Sequence, residues 1–381
     1  MKTILVPFGT RPEIVKLAPI VETLSESGFQ LRTLATGQHD DPALSDAFFE
    51  DLGLEPDVRW LLEGDTADRL ATMVVKAERE LAARAPDLVL LLGDTNTIPV
   101  FCLAARRHGV PVAHLEAGLR SWNERSMEEV NRKVAAACAS LHFAPTNFAA
   151  RCLLTEGIAS ERVQVVGNPV IDVLRRREIR PVRVSERSSI IFTAHRATNV
   201  DDPDRLGRLV ELVHRLSRQV APVNFPVHPR TQMRLAQYGL QNALEEDGIH
   251  ILPPLPYDEM LAAVARSKLV VTDSGGLQEE AAYLGVPVIV LRRSTPRWEG
   301  VAAGTSVLVG LDLDVAIEAA RHYLEPEVAA RIAATPCPYG DGHTSERVAE
   351  TLSTEETWKL LLLKEPDLTG HFPESALPPV P

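Results

Sequence analysis

Paired cysteines are missing from this chain. It has four in all, Cys102, Cys138, Cys152 and Cys337, none at Cys-x-x-Cys spacing, which argues against both a zinc site and a disulfide framework. They read as core thiols of a reducing compartment. Basic charge is also short: 40 Lys and Arg against 52 Asp and Glu leave a net charge of −12. Such a field repels polyanions, and no basic run reverses it locally, so nucleic acid is not an expected partner. No run approaches the ~20 apolar residues that a membrane-spanning helix needs. The start of the chain passes from Ile4-Leu5-Val6 directly into Gly9-Thr10-Arg11-Pro12, leaving no room for the apolar part of a signal peptide. A cytoplasmic protein without membrane contact is the expectation. Internal repeats and low-complexity blocks are absent as well.

Apolar residues are plentiful. At 381 residues and 45% hydrophobic, the chain outgrows a single core, which rarely passes roughly 250–300 residues, so two domains are expected. Short apolar runs ending in Gly, Asp or Pro alternate with amphipathic segments, the pattern of βα units around a parallel sheet. Expected strands in the first half are Thr3–Val6, Leu31–Ala35, Leu88–Leu92, Val112–His114, Leu141–Ala144 and Val163–Val166. A second set follows at Ile190–Thr193, Val223–Val227, Ile249–Leu252, Leu269–Thr272 and Val286–Leu291, with helices such as Pro203–Arg218 and Tyr257–Arg266 between them. Arg175–Arg187, dense in Arg, Glu and Ser and carrying Pro181, reads as the linker. The expected division is a first domain over 1–174, a second over 175–350 and a C-terminal extension over 351–381, with a loosely ordered tail at Asp367–Pro381.

Ligands of open parallel sheets bind beyond the carboxyl ends of the strands, so the residues just after each strand matter most. They are polar throughout: Gly9-Thr10-Arg11-Pro12-Glu13, Gly93-Asp94-Thr95, Glu116-Ala117-Gly118-Leu119-Arg120, Thr193-Ala194-His195-Arg196, Val227-His228-Pro229 and Asp273-Ser274-Gly275-Gly276. Asp94 and Glu116 would stand on successive strand tips and face one substrate. An Asp after a strand also caps the next helix, and Glu128-Glu129 has an equally plain reading as acids at a helix N-terminus. Ser274-Gly275-Gly276 suits a diphosphate held by the amides of a helix start, with Glu280 about one turn further on to take ribose hydroxyls; a plain turn is the alternative. His195 and Arg196 form a cationic pair fit for phosphate. For His228 the functional and structural readings stand level.

Taken in order, these stretches resemble the non-hydrolysing UDP-N-acetylglucosamine 2-epimerases. The resemblance is carried by Gly9–Glu13, Thr36-Gly37-Gln38-His39, Gly93–Thr95, His114–Arg120, Glu128-Glu129-Val130-Asn131-Arg132, His195-Arg196, Asp273–Glu280 and Pro338-Tyr339-Gly340-Asp341-Gly342, spanning about Lys2 to Arg347. It implies an α/β fold of two Rossmann-like domains of the glycosyltransferase-B type, with the active site in the interdomain cleft and a homodimer as the assembly. It also implies interconversion of UDP-N-acetylglucosamine and UDP-N-acetylmannosamine, by anti elimination of UDP to 2-acetamidoglucal and re-addition, with no metal and no cofactor. By position, Asp94, Glu116, Glu128 and His195 are the catalytic candidates. Arg11, Lys16, Arg132, His228, Ser274, Gly275, Gly276, Glu280 and Arg297 are the candidates for holding the UDP-sugar.

The chain departs from the family pattern at four places. Met127 precedes Glu128 where members commonly have Pro, Thr295-Pro296-Arg297-Trp298-Glu299 replaces Thr-Glu-Arg-Pro-Glu, and Thr198 stands where an acid is usual. Asp40-Asp41-Pro42 replaces the Arg/Gln-rich stretch that many bacterial members use for activation by substrate. These changes keep alternatives open: a hydrolysing relative that releases UDP and N-acetylmannosamine, a 2-epimerase of a modified nucleotide sugar, or, from another class, a glycosyltransferase with the same fold.

Overall fold

A computed structural model describes residues 1–37 and 54–364. Gln38, His39, the Asp40–Pro42 stretch and the Asp367–Pro381 tail lie outside the described residues. The chain divides into two compact units, one of Met1–Val173 joined by the stretch beginning at Gly342, the other Leu174–Asp341.

The first unit is built on a seven-stranded sheet. Its strands are β1 (Thr3–Phe8), β2 (Gln30–Ala35), β3 (Val58–Arg59), β4 (Leu88–Leu92), β5 (Val112–Leu115), β6 (Leu141–Ala144) and β7 (Val163–Val165), in the order β3-β2-β1-β4-β5-β6-β7. Every pairing is parallel. All five residues of β4 are buried, as an apolar run covered on both faces must be. The first helix, Arg11–Glu26, starts where Thr10 and Glu13 form a reciprocal capping box and Pro12 occupies the first turn. It buries Ile14, Leu17, Ile20, Val21 and Leu24, the stripe that a 3.6-residue period turns toward one side.

The second unit repeats the design with β8 (Ser189–Thr193), β9 (Val223–Pro226), β10 (Ile249–Leu252), β11 (Ser267–Thr272), β12 (Val288–Val290) and β13 (Ser306–Leu308), ordered β10-β9-β8-β11-β12-β13. Its pairs are parallel too. In both sheets the order reverses beside the first strand, between β1 and β4 and between β8 and β11. That reversal opens a crevice at the carboxyl edge and defines where such folds take ligands.

Two edge strands, β3 and β13, were not expected from sequence, because two or three residues hold no periodicity. The division also differs from the sequence reading at the C-terminal side: 342–350 packs with the first unit. The reason is Asp172, fully buried on the helix Pro169–Arg176. Its carboxylate accepts from the amides of Thr344 (3.1 Å) and Ser345 (2.7 Å) and from the Ser345 hydroxyl (2.7 Å). These are orphan donors at the start of the helix Thr344–Leu352, so one side chain docks that helix. The helix in turn packs against Arg11–Glu26. Asp172→Ala strands both amides, at a cost of about 1–3 kcal/mol for each unmet buried group. Urea unfolding is expected to show a loss of about 2–6 kcal/mol on that basis, with partial recovery in Asp172→Asn, which keeps one acceptor. An unchanged midpoint in both variants would show that the helix docks by apolar contact alone.

Candidate active site

In the first unit the polar tips form one connected set. The carboxylate of Glu13 is buried between the loops that follow β1 and β4. One oxygen accepts from the amides of Gly9 (2.7 Å) and Thr10 (2.8 Å), the other from the Thr95 hydroxyl (2.7 Å). Burial pushes its pKa up to about 7, against the lowering pull of those donors. Asp94, next to Thr95, pairs with Arg132. Arg132 also pairs with Glu129 and donates to the Ser121 hydroxyl (3.3 Å), while Asn131 donates to the Asp94 carbonyl (2.8 Å). Asp94 therefore does not serve the plain capping role: the helix Thr97–Arg107 has Asn96 at its cap position.

Glu116, directly after β5, is paired with Lys16, and both are buried. Its backbone is left-handed, φ +60°, an unfavourable state for a residue with a Cβ. Gly118, at φ +82°, lets the same loop press on the helix Asn147–Thr155: a Cβ there would stand 2.1 Å from the Ala149 carbonyl oxygen. Arg120 closes the loop with a two-pronged pair to Glu156 (2.7 and 2.6 Å). His114, fully buried, shares a hydrogen bond with the Gly93 carbonyl (2.8 Å), and burial drives its pKa down to about 4. It is a neutral strut between two strand tips.

The double acid splits. Both residues lie in the first turn of the helix Met127–Cys138. Glu129 is buried and accepts from the amides of Ser121 (2.9 Å) and Trp122 (3.1 Å); burial raises its pKa, but these donors and Arg132 outweigh that and hold it below the usual range. Glu128 faces solvent and accepts from the Ser126 hydroxyl. Arg11 is exposed at the start of its helix.

The second unit is organised by Asp273, which has no exposed surface. Its carboxylate takes the amides of His195 (3.1 Å) and Arg196 (3.0 Å) and the side-chain amide of Asn199 (3.0 Å), and Nδ1 of His195 lies 3.4 Å away. The loop after β8 is thereby fixed to the loop after β11. His195 and His228 stack with centroids 5.1 Å apart. Burial lowers the His195 pKa against the raising pull of Asp273; His228 is lowered by burial and then by His195. Both shifts favour the neutral ring. His228 also caps the helix Pro229–Gln237, accepting from the Arg230 amide (3.2 Å).

Ser274, Gly275 and Gly276 lead into the helix Gly276–Tyr283. Ser274 offers its carbonyl to Gln278 (2.9 Å) and its amide to the Thr272 hydroxyl (2.9 Å). Glu280 accepts from the Tyr257 hydroxyl (2.8 Å). Arg297 is buried and pairs with Glu279 (2.8 Å), its guanidinium 3.5 Å from where a Cβ on Gly275 would stand. It buttresses the turn from beneath. Asp273, Glu13, Glu129, Asn199 and Tyr257 did not stand out as site residues in the sequence. The signal for Asp273 and Glu13 was there, since each is the one acid in its Gly-rich strand-tip motif.

Two doubly wound sheets with anion-suited loops at their switch points define a two-domain Rossmann-like α/β protein, the class to which glycosyltransferase-B folds belong. Among the described residues no group of His, Cys, Asp and Glu is placed to hold a metal ion, and no helix is long and apolar enough to cross a membrane. The chain belongs to the UDP-N-acetylglucosamine 2-epimerase family, whose model matches residues 22–353. It is 33% identical over 375 residues to the UDP-N-acetylglucosamine 2-epimerase of Methanococcus maripaludis, covering 92% of this chain and 98% of that one. It is 36% identical over 361 residues to the UDP-2,3-diacetamido-2,3-dideoxy-D-glucuronate 2-epimerase of Pseudomonas aeruginosa, covering 92% and 99%. The structure is similar to that of the Methanocaldococcus jannaschii UDP-GlcNAc 2-epimerase solved with UDP-GlcNAc and UDP, with TM-score 0.83, 34% identity, and 93% and 99% of the two chains covered.

The raised pKa of Glu13 makes stability depend on pH. Its folded value, about 7, lies above the reference of 4.5, so the folded state holds this proton more tightly. That contribution is complete below 4.5 and is lost as pH climbs to about 7. Wild type should therefore lose about 3 kcal/mol relative to Glu13→Gln across that window, at 1.36 kcal/mol per pH unit. Urea titrations at a series of pH values measure it, and parallel curves for the two proteins would contradict it.

Proposed function

We propose that the protein interconverts UDP-N-acetylglucosamine and UDP-N-acetylmannosamine. The observation that carries this reading is the connected carboxylate set on the first unit, Asp94 with Arg132 and Glu116 with Lys16; the second unit, taken by itself, presents a diphosphate-suited loop through Asp273 and a helix start. In the proposed reaction a carboxylate takes the C2 proton while the C1–O bond breaks and UDP leaves with the electron pair, giving 2-acetamidoglucal. UDP then returns to C1 as C2 receives a proton on its other face. No net oxidation occurs, so the chemistry needs proton transfer and charge stabilisation only.

Acids are required on both faces of the ring, and Asp94, Glu116 and Glu128 are proposed for them. Lys16 and Arg132 pair with Glu116 and Asp94 and aim them. His195, neutral and braced by Asp273, donates toward the β-phosphate as charge builds on it, assisted by Arg11 and His228. Ser274, Gly275 and Gly276 carry the diphosphate on helix amides, with Arg297 supporting the turn, and Glu280 takes the ribose. A homodimer is part of the same proposal and is read by sedimentation.

A second reading has specific support. The Pseudomonas relative acts on a diacetamido glucuronate, and this chain has its own residues at Met127, Thr198 and Pro296–Trp298. A modified UDP-sugar is therefore the alternative substrate. Turnover in deuterated water tests both: deuterium should enter C2 of both epimers of UDP-N-acetylglucosamine, and free UDP should not accumulate. Stoichiometric UDP release would instead mean a hydrolysing enzyme, and exchange only with the diacetamido glucuronate would move the substrate. Glu116→Gln should bind UDP as wild type does and lose about 10²- to 10⁴-fold in kcat, the usual weight of one acid–base group.

A further inference from the structure

The fold gathers arginines that lie far apart in the chain. Arg205 and Arg208 lie one turn apart on the helix Pro203–Gln219, and Arg292 and Arg293 follow β12. With Leu308–Asp312 they line an open concavity of about 550 Å³ in the second unit. Among the described residues, Arg205, Arg208 and Arg293 take part in no ion pair; the carboxylate of Asp202, just before them in the chain, is engaged by the Arg205 backbone amide (2.9 Å). Arg205 donates to the Asn199 side chain (2.9 Å) and Arg208 to the Leu311 carbonyl (2.6 Å). The Nε of Arg205 is buried with no partner among the described residues.

Gly310, at φ +58°, lets the stem of Arg293 lie against the backbone, 3.3 Å from the position of a Cβ, so that side chain is placed rather than loose. The one acid in the lining, Asp312, is turned into the helix Leu313–Tyr323, where it accepts the amides of Asp314 and Val315 (both 3.1 Å).

We propose that this concavity binds a phosphate-class oxyanion, separate from the diphosphate turn at Ser274–Gly276. Arg205, Arg208 and Arg293 gather there with no ion pair among the described residues, on a chain that is otherwise strongly acidic. That arrangement is self-repelling when empty and suits a doubly charged tetrahedral anion with several charge-assisted hydrogen bonds. A monocarboxylate would answer one guanidinium and leave the others facing each other.

Calorimetric titration of the full chain with inorganic pyrophosphate at fixed ionic strength tests the site. Two sites are expected in wild type, one of them weakened at least about 10-fold in R208Q/R293Q, since each charged hydrogen bond lost is worth about a decade or more in affinity. Both substituted residues are exposed, so the fold is retained, and R293Q alone provides a milder second variant. A control pair on the first unit, R79Q/R84Q, removes the same charge from exposed positions and should bind as wild type. Unchanged binding by R208Q/R293Q, or equal weakening in the control, would overturn the site. A single wild-type site that R208Q/R293Q abolishes supports this proposal and counts against the diphosphate turn instead. Repeating the titration with uridine monophosphate separates free oxyanion from nucleotide-borne phosphate, and loss of either ligand in the variant supports the site.

Discussion

In each unit one buried carboxylate ties together the two loops that flank the reversal of strand order. Glu13 does this from the loop after the first strand, reaching the Thr95 hydroxyl beyond the fourth. Asp273 does it in the opposite sense, from beyond the fourth strand of its sheet to the amides of His195 and Arg196 beyond the first. The constraint behind both is the same. A switch point separates two strand tips that would otherwise be held only by the sheet, and the loops there expose unpaired amides. An acid offers two acceptor oxygens, where an amide side chain of the same size offers one.

The arrangement has a cost, and its distribution is informative. Burying a carboxylate is expensive unless its oxygens are fully met by donors. Glu129, Asp172 and Asp273 each accept at least two backbone amides, so each is offset locally; Glu13 accepts two as well, yet burial still raises its pKa to about 7. Glu116 is different: its compensation is a buried lysine, and its backbone is held at φ +60°, a strain of about 1–3 kcal/mol. Strain persists only where neighbours overdetermine it. Here they are Gly118, pressed against Ala149, and Arg120, clamped to Glu156. Glu116 is thus, among the buried acids, the one held by both a charged partner and a strained backbone.

Much of this was legible in the sequence, and the part that was not has a physical explanation. The long strands announce themselves because five consecutive apolar residues such as Leu88–Leu92 can only be covered on both faces. The edge strands β3 and β13 carry two and three residues, too few for any period. Strand-tip polarity pointed to Asp94, Glu116, His195 and Ser274 by position. It could not rank Glu13 or Asp273, because a residue that holds a loop and one that touches a ligand have the same side chain at the same kind of place. Nor could it find the arginine concavity, whose two pairs are more than eighty positions apart in the chain and meet only through the packing of β12 and β13 beside the helix Pro203–Gln219.

The fate of Glu128 follows from its neighbour. Successive helical residues point about 100° apart, by the 3.6-residue period, so burying Glu129 commits Glu128 to a different face. Glu129 is fixed by the Ser121 and Trp122 amides and by Arg132, which sets the register of the helix start without help from the residue before it. Met127 in place of proline therefore leaves the direction of Glu128 intact: proline would stiffen the first turn, but the anchor lies two positions further on. The same reasoning assigns sequence drift its role. Met127 falls beside the braced carboxylate of Glu129, not among its partners, so a change there leaves the elements that hold that acid in place.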